Sequence, residues 1–286
     1  MNRKVISLFL QMQTRQYSQK SKDIVVKHLT SEQNGITTIG FNRPHRKNAL
    51  GGEFVADFHK ALDQIAADNV TRVVVLHSLV PKVFCAGADL KERIEMSSNE
   101  VYQFGLKLRS MAYKIINFPV PVITAIDGAA IGGGLEIALS SDIRVATSTA
   151  KMGLVETSLA IMPGAAGTQT LPRLINPSLA KELIFTAAIF DGTEAKEYGI
   201  VNHVVEQNES NDAAFQKALS IAEKILPNGP VGVKMAKKAI NKGLEVDLAT
   251  GLSIEEACYC QLLPTKDRIE ALVAFKEKRR PNYIGC

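Results

Sequence analysis

The chain is poor in the residues that build covalent or metal frameworks. Its four cysteines, Cys85, Cys258, Cys260 and Cys286, are too few and too irregularly spaced for a disulfide scaffold or a four-ligand zinc pattern, and reduced thiols are expected. Five histidines, His28, His45, His59, His77 and His203, include no pair at helical ligand spacing, and no metal is predicted. After the N-terminus no stretch approaches the roughly 18 to 20 uninterrupted apolar residues of a membrane helix, which predicts a soluble mature protein with no membrane insertion. Dense basic clustering is also missing. Lys and Arg exceed Asp and Glu by 34 to 29, a mild excess that favours a small anionic ligand over a dedicated nucleic-acid partner.

The 286 residues, 46% hydrophobic, suffice for one large core with a smaller appendage. Residues 1–22 carry Arg3, Lys4, Arg15, Lys20 and Lys22 and no acid, around a short apolar run from Val5 to Leu10. That is the composition of a mitochondrial transit peptide, with Arg15-Gln16-Tyr17-Ser18 resembling a processing site cleaved after Tyr17. A matrix location follows as an expectation.

From there the β-rich runs Ile24 to Leu29 and Ile36 to Phe41 flank a turn-like segment and predict a hairpin. Phe54, Phe58, Leu62 and Ile65 recur at helical spacing ahead of a buried-type strand, Arg72 to His77. Two further cycles follow: a helix over Val101 to Ile116 with a strand Val120 to Ile126, then a helix from Gly133 with a strand Ile143 to Ala146. This alternation predicts an α/β core over residues 23–205. Beyond Val205 the strand signal stops, and helices are predicted at Asp212 to Leu226, Pro230 to Asn241, Leu244 to Leu262 and Thr265 to Lys278. Residues 206–286 therefore read as a helical part, too thin for a large core of its own, which packs on the first part or on neighbouring subunits.

Three segments carry chemistry. Asp127 to Glu136 leaves a strand through Gly132-Gly133-Gly134 and enters a helix, whose unpaired N–H groups suit an oxyanion; close helix-to-strand packing through glycine is the alternative reading. Val83 to Leu90 is a strand end running into the small-residue loop Ala86-Gly87-Ala88-Asp89, whose N–H groups could aim at the same oxygen, or which could be a plain turn. Glu156 follows Glu136 by 20 residues, both among apolar neighbours. Unless they are simply exposed helix acids, desolvation would raise their pKa and fit one as a general base and the other as a proton donor.

These three elements, in this order and at these separations, resemble the enoyl-CoA hydratase/isomerase (crotonase) family from about Ile24 to Tyr283. The resemblance implies a spiral of ββα units with a helical C-terminal trimerisation domain, and assembly as trimers or as hexamers of two trimers. It implies catalytic roles for Glu136 and Glu156, an oxyanion hole from the backbone of Ala88 and Gly133, and water orientation near Gly164. Contacts to coenzyme A are implied at Ala86, Ala88, Asp89, Leu90 and Lys91, with Phe275, in a tail resembling the segment that reaches a neighbouring site. The implied reaction is hydration of a short or branched enoyl-CoA in fatty-acid or branched-chain amino-acid breakdown, with no cofactor beyond the CoA of the substrate. Isomerisation or decarboxylation on the same fold is the alternative, because Thr170 and Ala166 replace the Arg and Gly usual in the loop. RNA is a further alternative partner through Lys234, Lys237, Lys238 and Lys242. A solvated face explains that stripe more simply, and the first helix, with Glu53, Asp57, Lys60 and Asp63, is not basic.

Overall fold

The computed structural model describes residues 23–286, so the predicted transit peptide lies outside the described residues. Strand β1 (Ile24–His28) pairs antiparallel with β2 (Ile36–Phe41). The hairpin is closed by a 3₁₀ turn over Ser31–Gln33. Helix α1 (Gly52–Ala67) precedes β3 (Val73–Ser78), which pairs parallel with β2. Strand β4 (Val83–Cys85) then leaves that sheet, and two helices follow, α2 (Leu90–Arg93) and α3 (Ser98–Ile116). The cycle repeats as β5 (Val122–Ile126), β6 (Ala129–Ile131) and α4 (Gly133–Leu139), and again as β7 (Ile143–Thr147) and β8 (Met152–Gly153). Helices α5 (Gly167–Leu174), α6 (Pro177–Phe185) and α7 (Gly192–Glu197) lead to the last strand, β9 (His203–Val205).

Alternate strands of each repeat go to alternate sheets. One sheet is ordered β1-β2-β3-β5-β7-β9, and a smaller parallel one is ordered β4-β6-β8. This is the ββα spiral that the family resemblance implies, built on the α/β alternation read from the sequence. Strand periodicity explains the two cores: Val74 and Leu76 face one, while Val73 and Val75 face the other. On the first face Phe41 meets Phe54 and Phe58 edge-on at 5.2 Å each, which docks α1 on the sheet. On the second face α8 (Ala213–Ile225) lays Ala214, Ala218 and Ala222 against Ile36, Val73, Ile123 and Val145.

Three helices complete the chain: α9 (Pro230–Gly243), α10 (Leu248–Cys260) and α11 (Lys266–Glu277). Helix α10 starts later than predicted because Asp247 caps it through the Thr250 N–H, ending a separate turn at residues 244–247. Strand β5 likewise starts at Val122, after Pro121. Few residues of α9 to α11 are buried within the chain. No helix among the described residues is long and apolar enough to cross a membrane.

Candidate active site

The small sheet points the carboxyl ends of its three parallel strands at one cleft of about 400 Å³. Strand β4 delivers Ala86-Gly87-Ala88, β6 delivers Gly132-Gly133, and β8 leads through Leu154-Val155 to Glu156. Crevices beyond strand carboxyl ends are where open α/β sheets bind ligands.

The Ala86–Asp89 loop is held by Leu50, whose N–H donates to the Gly87 carbonyl at 2.7 Å and whose carbonyl accepts from the Asp89 N–H at 3.1 Å. Because successive peptide groups of an extended segment point opposite ways, the Ala88 N–H between them faces away from Leu50 and has no partner among the described residues. Gly87, at φ +88°, allows this approach: a β-carbon there would stand 2.8 Å from the Ile131 carbonyl oxygen and 3.4 Å from the Gly133 nitrogen. Ala88 and Gly133 N–H thus lie side by side, the second in the unpaired first turn of α4. A β-carbon on Gly134 would meet the Cys85 carbonyl oxygen at 2.3 Å, so Gly134 serves packing while Gly133 faces the cleft.

Glu136 is 2% exposed, and its Oε1 accepts from the Ala165 N–H at 2.8 Å and the Gly167 N–H at 2.7 Å. Burial pushes its pKa up to about 7; the Gly167 and Ala165 amides pull the other way, and the negative charge of Glu156 adds to the rise. Glu156 is also buried, against Gly132, where a β-carbon would lie 3.0 Å from its Oε1. Its Oε2 has no hydrogen-bond partner among the described residues, and burial raises its pKa against the opposing pull of its own backbone N–H and of Arg93. The exposed-acid alternative therefore fails for both.

The loop after Glu156 is pinned by Arg109, whose Nε donates to the Gly164 carbonyl at 3.0 Å. Ala166 adopts φ +95°, a conformation that favours glycine, and caps α5 with the Thr170 hydroxyl donating to its carbonyl at 3.1 Å. The unusual alanine has thus kept a glycine-like backbone. Ala166→Gly is expected to stabilise the protein by about 1 kcal/mol, read as a higher urea midpoint at unchanged slope.

Of the residues implied by resemblance, Glu136, Glu156, Ala86, Ala88, Gly133 and Gly164 line the cleft, as does Leu90. Asp89 and Lys91 do not. The Asp89 carboxylate turns inward to Arg43 at 2.9 Å and accepts from the Lys91 and Glu92 N–H groups, while Lys91 is exposed. Phe275, 86% exposed on α11, lies outside the cleft of its own chain. The basic stripe on α9 is not uniform: Lys234, Lys237, Lys238 and Lys242 all border a separate cleft beside Phe118, but Lys237 is half-buried and paired with Asp142 at 2.7 Å. All four cysteines are free thiols, and no group of three or more His, Cys, Asp or Glu among the described residues could hold a metal.

Sequence reading missed the supports of the site. Arg43 donates to Asp89, to Glu92 at 2.8 Å and to the Ala49 carbonyl, and the Asn48 side chain bridges the Arg43 N–H and the Phe84 carbonyl. A polar cluster just ahead of the first amphipathic helix was the available signal. Arg93 and Arg109, both lining the cleft, had none.

The sequence model of the enoyl-CoA hydratase/isomerase family matches residues 31–285. Human mitochondrial methylglutaconyl-CoA hydratase is 56% identical over 274 residues, covering 95% of this chain and 81% of that protein. Mouse mitochondrial enoyl-CoA hydratase domain-containing protein 2 is 50% identical, covering 93% and 90%. The crystal structure of an enoyl-CoA hydratase from Bacillus anthracis superposes with a TM-score of 0.88 at 45% identity, covering 93% of this chain and all of that one. The geometry of the cleft and these similarities agree: the chain belongs to the enoyl-CoA hydratase/isomerase family.

Proposed function

We propose that the protein adds water across the 2,3 double bond of a short or branched enoyl-CoA thioester, of the kind named for its methylglutaconyl-CoA hydratase relatives. The observation that carries this reading is the convergence of two unpartnered backbone amides and two buried carboxylates on one cleft. The thioester oxygen sits between the Ala88 and Gly133 N–H groups, which take up the negative charge as the enolate forms. Glu136, whose two amide donors favour its ionised form, accepts a proton from water as the oxygen bonds to the β-carbon. Glu156, buried without a donor to stabilise a charge on Oε2, delivers its proton to the α-carbon. One proton then passes from Glu136 back to Glu156, and the site is reset. Gly164 lies beside the attacking water, and Ala86 and Leu90 flank the CoA arm.

No cofactor beyond CoA enters this chemistry. Helices α10 and α11 leave Leu248, Leu252, Leu272 and Phe275 exposed, an apolar surface that fits burial in a homotrimer or a hexamer of two trimers. In such an assembly Phe275 reaches a neighbouring cleft. The mitochondrial relatives support the same compartment here, with the matrix as the site of action.

The test is the loss of enoyl-thioester absorbance with crotonyl-CoA and 3-methylglutaconyl-CoA, with product identification. Formation of the 3-hydroxyacyl-CoA is expected; a shifted double bond or released CO₂ would replace hydration by isomerisation or decarboxylation. Two acids facing one cleft favour hydration, since water addition needs a base and a proton donor at once.

A further inference from the structure

A single peptide group joins the Glu136 carboxylate to a side chain on a different element. The Ala165 N–H donates to Glu136 Oε1 at 2.8 Å, and the carbonyl of the same peptide, that of Gly164, accepts from Arg109 Nε at 3.0 Å. A trans peptide is a rigid plane whose N–H and C=O point opposite ways. Glu136 and Arg109 therefore stand at its two ends, and no other described residue hydrogen-bonds either end. A β-carbon on Gly164 would meet only the Met162 carbonyl oxygen, at 3.8 Å, so the surroundings leave room for the peptide to turn over, and glycine permits the rotation. Ile161 and Met162, just ahead of it, are exposed.

Arg109 rides on a firmer element. Helix α3 opens with a capping box between Ser97 and Glu100, and Phe104, Leu108, Met111 and Ile115 dock it on the core. A donor fixed there holds the peptide in one of its two orientations. Turned over, the peptide would aim its carbonyl oxygen at the carboxylate of Glu136, which is 2% exposed, and an attraction would become a repulsion where little water screens it. Arg109 has no direct hold on the base. Burial acts first on the proton affinity of Glu136, followed by the Gly167 amide, the charge of Glu156 and the Ala165 and Gly164 amides. Arg93, the other cation on the cleft wall, acts on Glu156. An influence of Arg109 on Glu136 runs through the peptide that both contact.

We infer that Arg109 is a positioning residue for the proposed hydration: it holds the Gly164–Ala165 peptide with its N–H on Glu136 and so keeps the carboxylate aimed at the attacking water. This rests on the hydratase reading above and deepens it. The contribution of Arg109 is the hydrogen bond from Nε, and neither its charge nor the acyl chain enters. Without that bond the peptide rotates, Glu136 loses an amide donor that favours its ionised form, and the base both binds its proton more tightly and swings more freely. Arg109 is exposed, so the bond is one of ordinary strength.

The deciding comparison is Arg109→Met with Arg109→Gln. Methionine places a methyl group, and glutamine an amide NH₂, at the position along the side chain where Nε stands, and neither carries a charge. Crotonyl-CoA is the substrate, because its acyl chain bears no charged group for Arg109 to meet. Arg109→Met is expected to lower kcat by about tenfold with KM within about twofold of wild type, the size of one lost hydrogen bond. The acid limb of its kcat/KM against pH is expected to move up by about half a pH unit to one. Arg109→Gln is expected to stay within about threefold of wild type in kcat and to keep the wild-type limb. Thermal melts establish that each variant is folded, and Arg109→Ala, equally without a donor and a strong helix former, replaces Arg109→Met if that variant does not fold. A wild-type rate and limb in the folded variant without a donor overturns the role of Arg109. So does Arg109→Gln behaving like Arg109→Met, which would assign the effect to the charge. Both results leave the hydratase reading intact, whereas wild type that does not hydrate crotonyl-CoA overturns that reading and this role together.

Discussion

Glu136→Gln is expected to lower hydration by about a hundredfold to ten-thousandfold, the range for a lost general base, while making the protein more stable above neutral pH. The second half follows from the burial that makes the residue useful. The folded-state pKa is raised from 4.5 to about 7, chiefly by desolvation, so between those values the native state binds more protons than the unfolded chain. The stability contributed by this group is therefore complete below about pH 4.5 and is lost as pH rises to about 7. At pH 8 the loss amounts to roughly 2 to 3 kcal/mol, since each tenfold change in proton affinity is about 1.4 kcal/mol and part of the change is shared with Glu156. Glutamine keeps an oxygen for the Ala165 and Gly167 amides but carries no charge to desolvate. The variant should gain this amount over wild type at pH 8 and none near pH 4, measured by urea unfolding at both. Equal stability of the two proteins at pH 8 would contradict the raised pKa. Glu156→Gln should show the same direction in both activity and stability, since burial raises that acid too.

Arg43→Ala should have the largest effect on stability, a loss of about 3 to 5 kcal/mol, with a fall in turnover on top. Arg43 is 8% exposed and contacts Asp89 at 2.9 Å, Glu92 at 2.8 Å and Asp23 at 3.2 Å. Removing it strands the Asp89 carboxylate, which is 5% exposed, with only the more distant Arg46 at 3.8 Å. Burial opposes the charge on Asp89, yet the Glu92 N–H together with Arg43 and Arg46 keeps its pKa below the usual carboxylate range. Asp89 also starts α2 and follows Ala88 directly, so its release shifts the Ala88 N–H. Loss of one such donor costs about a hundredfold to a thousandfold in kcat. Arg43→Lys should recover part of the stability, because one ammonium cannot serve Asp89 and Glu92 through a planar fork. A combined urea and steady-state measurement separates the two effects: the folded fraction of Arg43→Ala should show reduced kcat, not merely fewer active molecules.

The fold is legible in the sequence where periodicity runs long enough to register. Helix α1, helix α3 and the strands β2, β3 and β7 carry complete patterns of buried side chains, and each lies within a few residues of its expected position. Strand β8 is two residues long and β9 three, too short to show any period, and both exist because neighbouring strands offer them a ladder. Helices α5 to α7 are short, and Pro172 lies inside α5, which hides them from pattern reading; Pro177 stands at the first position of α6. At the site, Glu136, Glu156 and the two glycine-bearing loops are visible because acids among apolar residues and strand-to-helix glycines are chemically odd in one dimension. The bond from Arg43 to Asp89 spans 46 residues with no periodic signature and becomes visible only when β2 and the β4 loop are side by side. The fate of Asp89 follows from the same bond: a residue expected to face the ligand instead faces the support. Ala166 stands out in the sequence as a departure from the family pattern, but its positive φ is a property of the folded loop alone.

The strand order of the larger sheet follows the order of the chain, with each new strand added beside the last one made. A polypeptide emerging from its N-terminus can therefore lay this sheet down in sequence, and all residues of the cleft have appeared once residue 167 is available. What is still absent then is the edge strand β9 and, after it, α8, the cover of the second face. Until it arrives, Ile36, Val73, Val75, Ile123 and Val145 form a bare apolar surface on a sheet that is otherwise built. Truncation before Ala213 is thus expected to leave the chemistry encoded but the chain prone to aggregate, and a chaperone that shields apolar β-surface would act on this intermediate until Ala214, Ala218 and Ala222 close it.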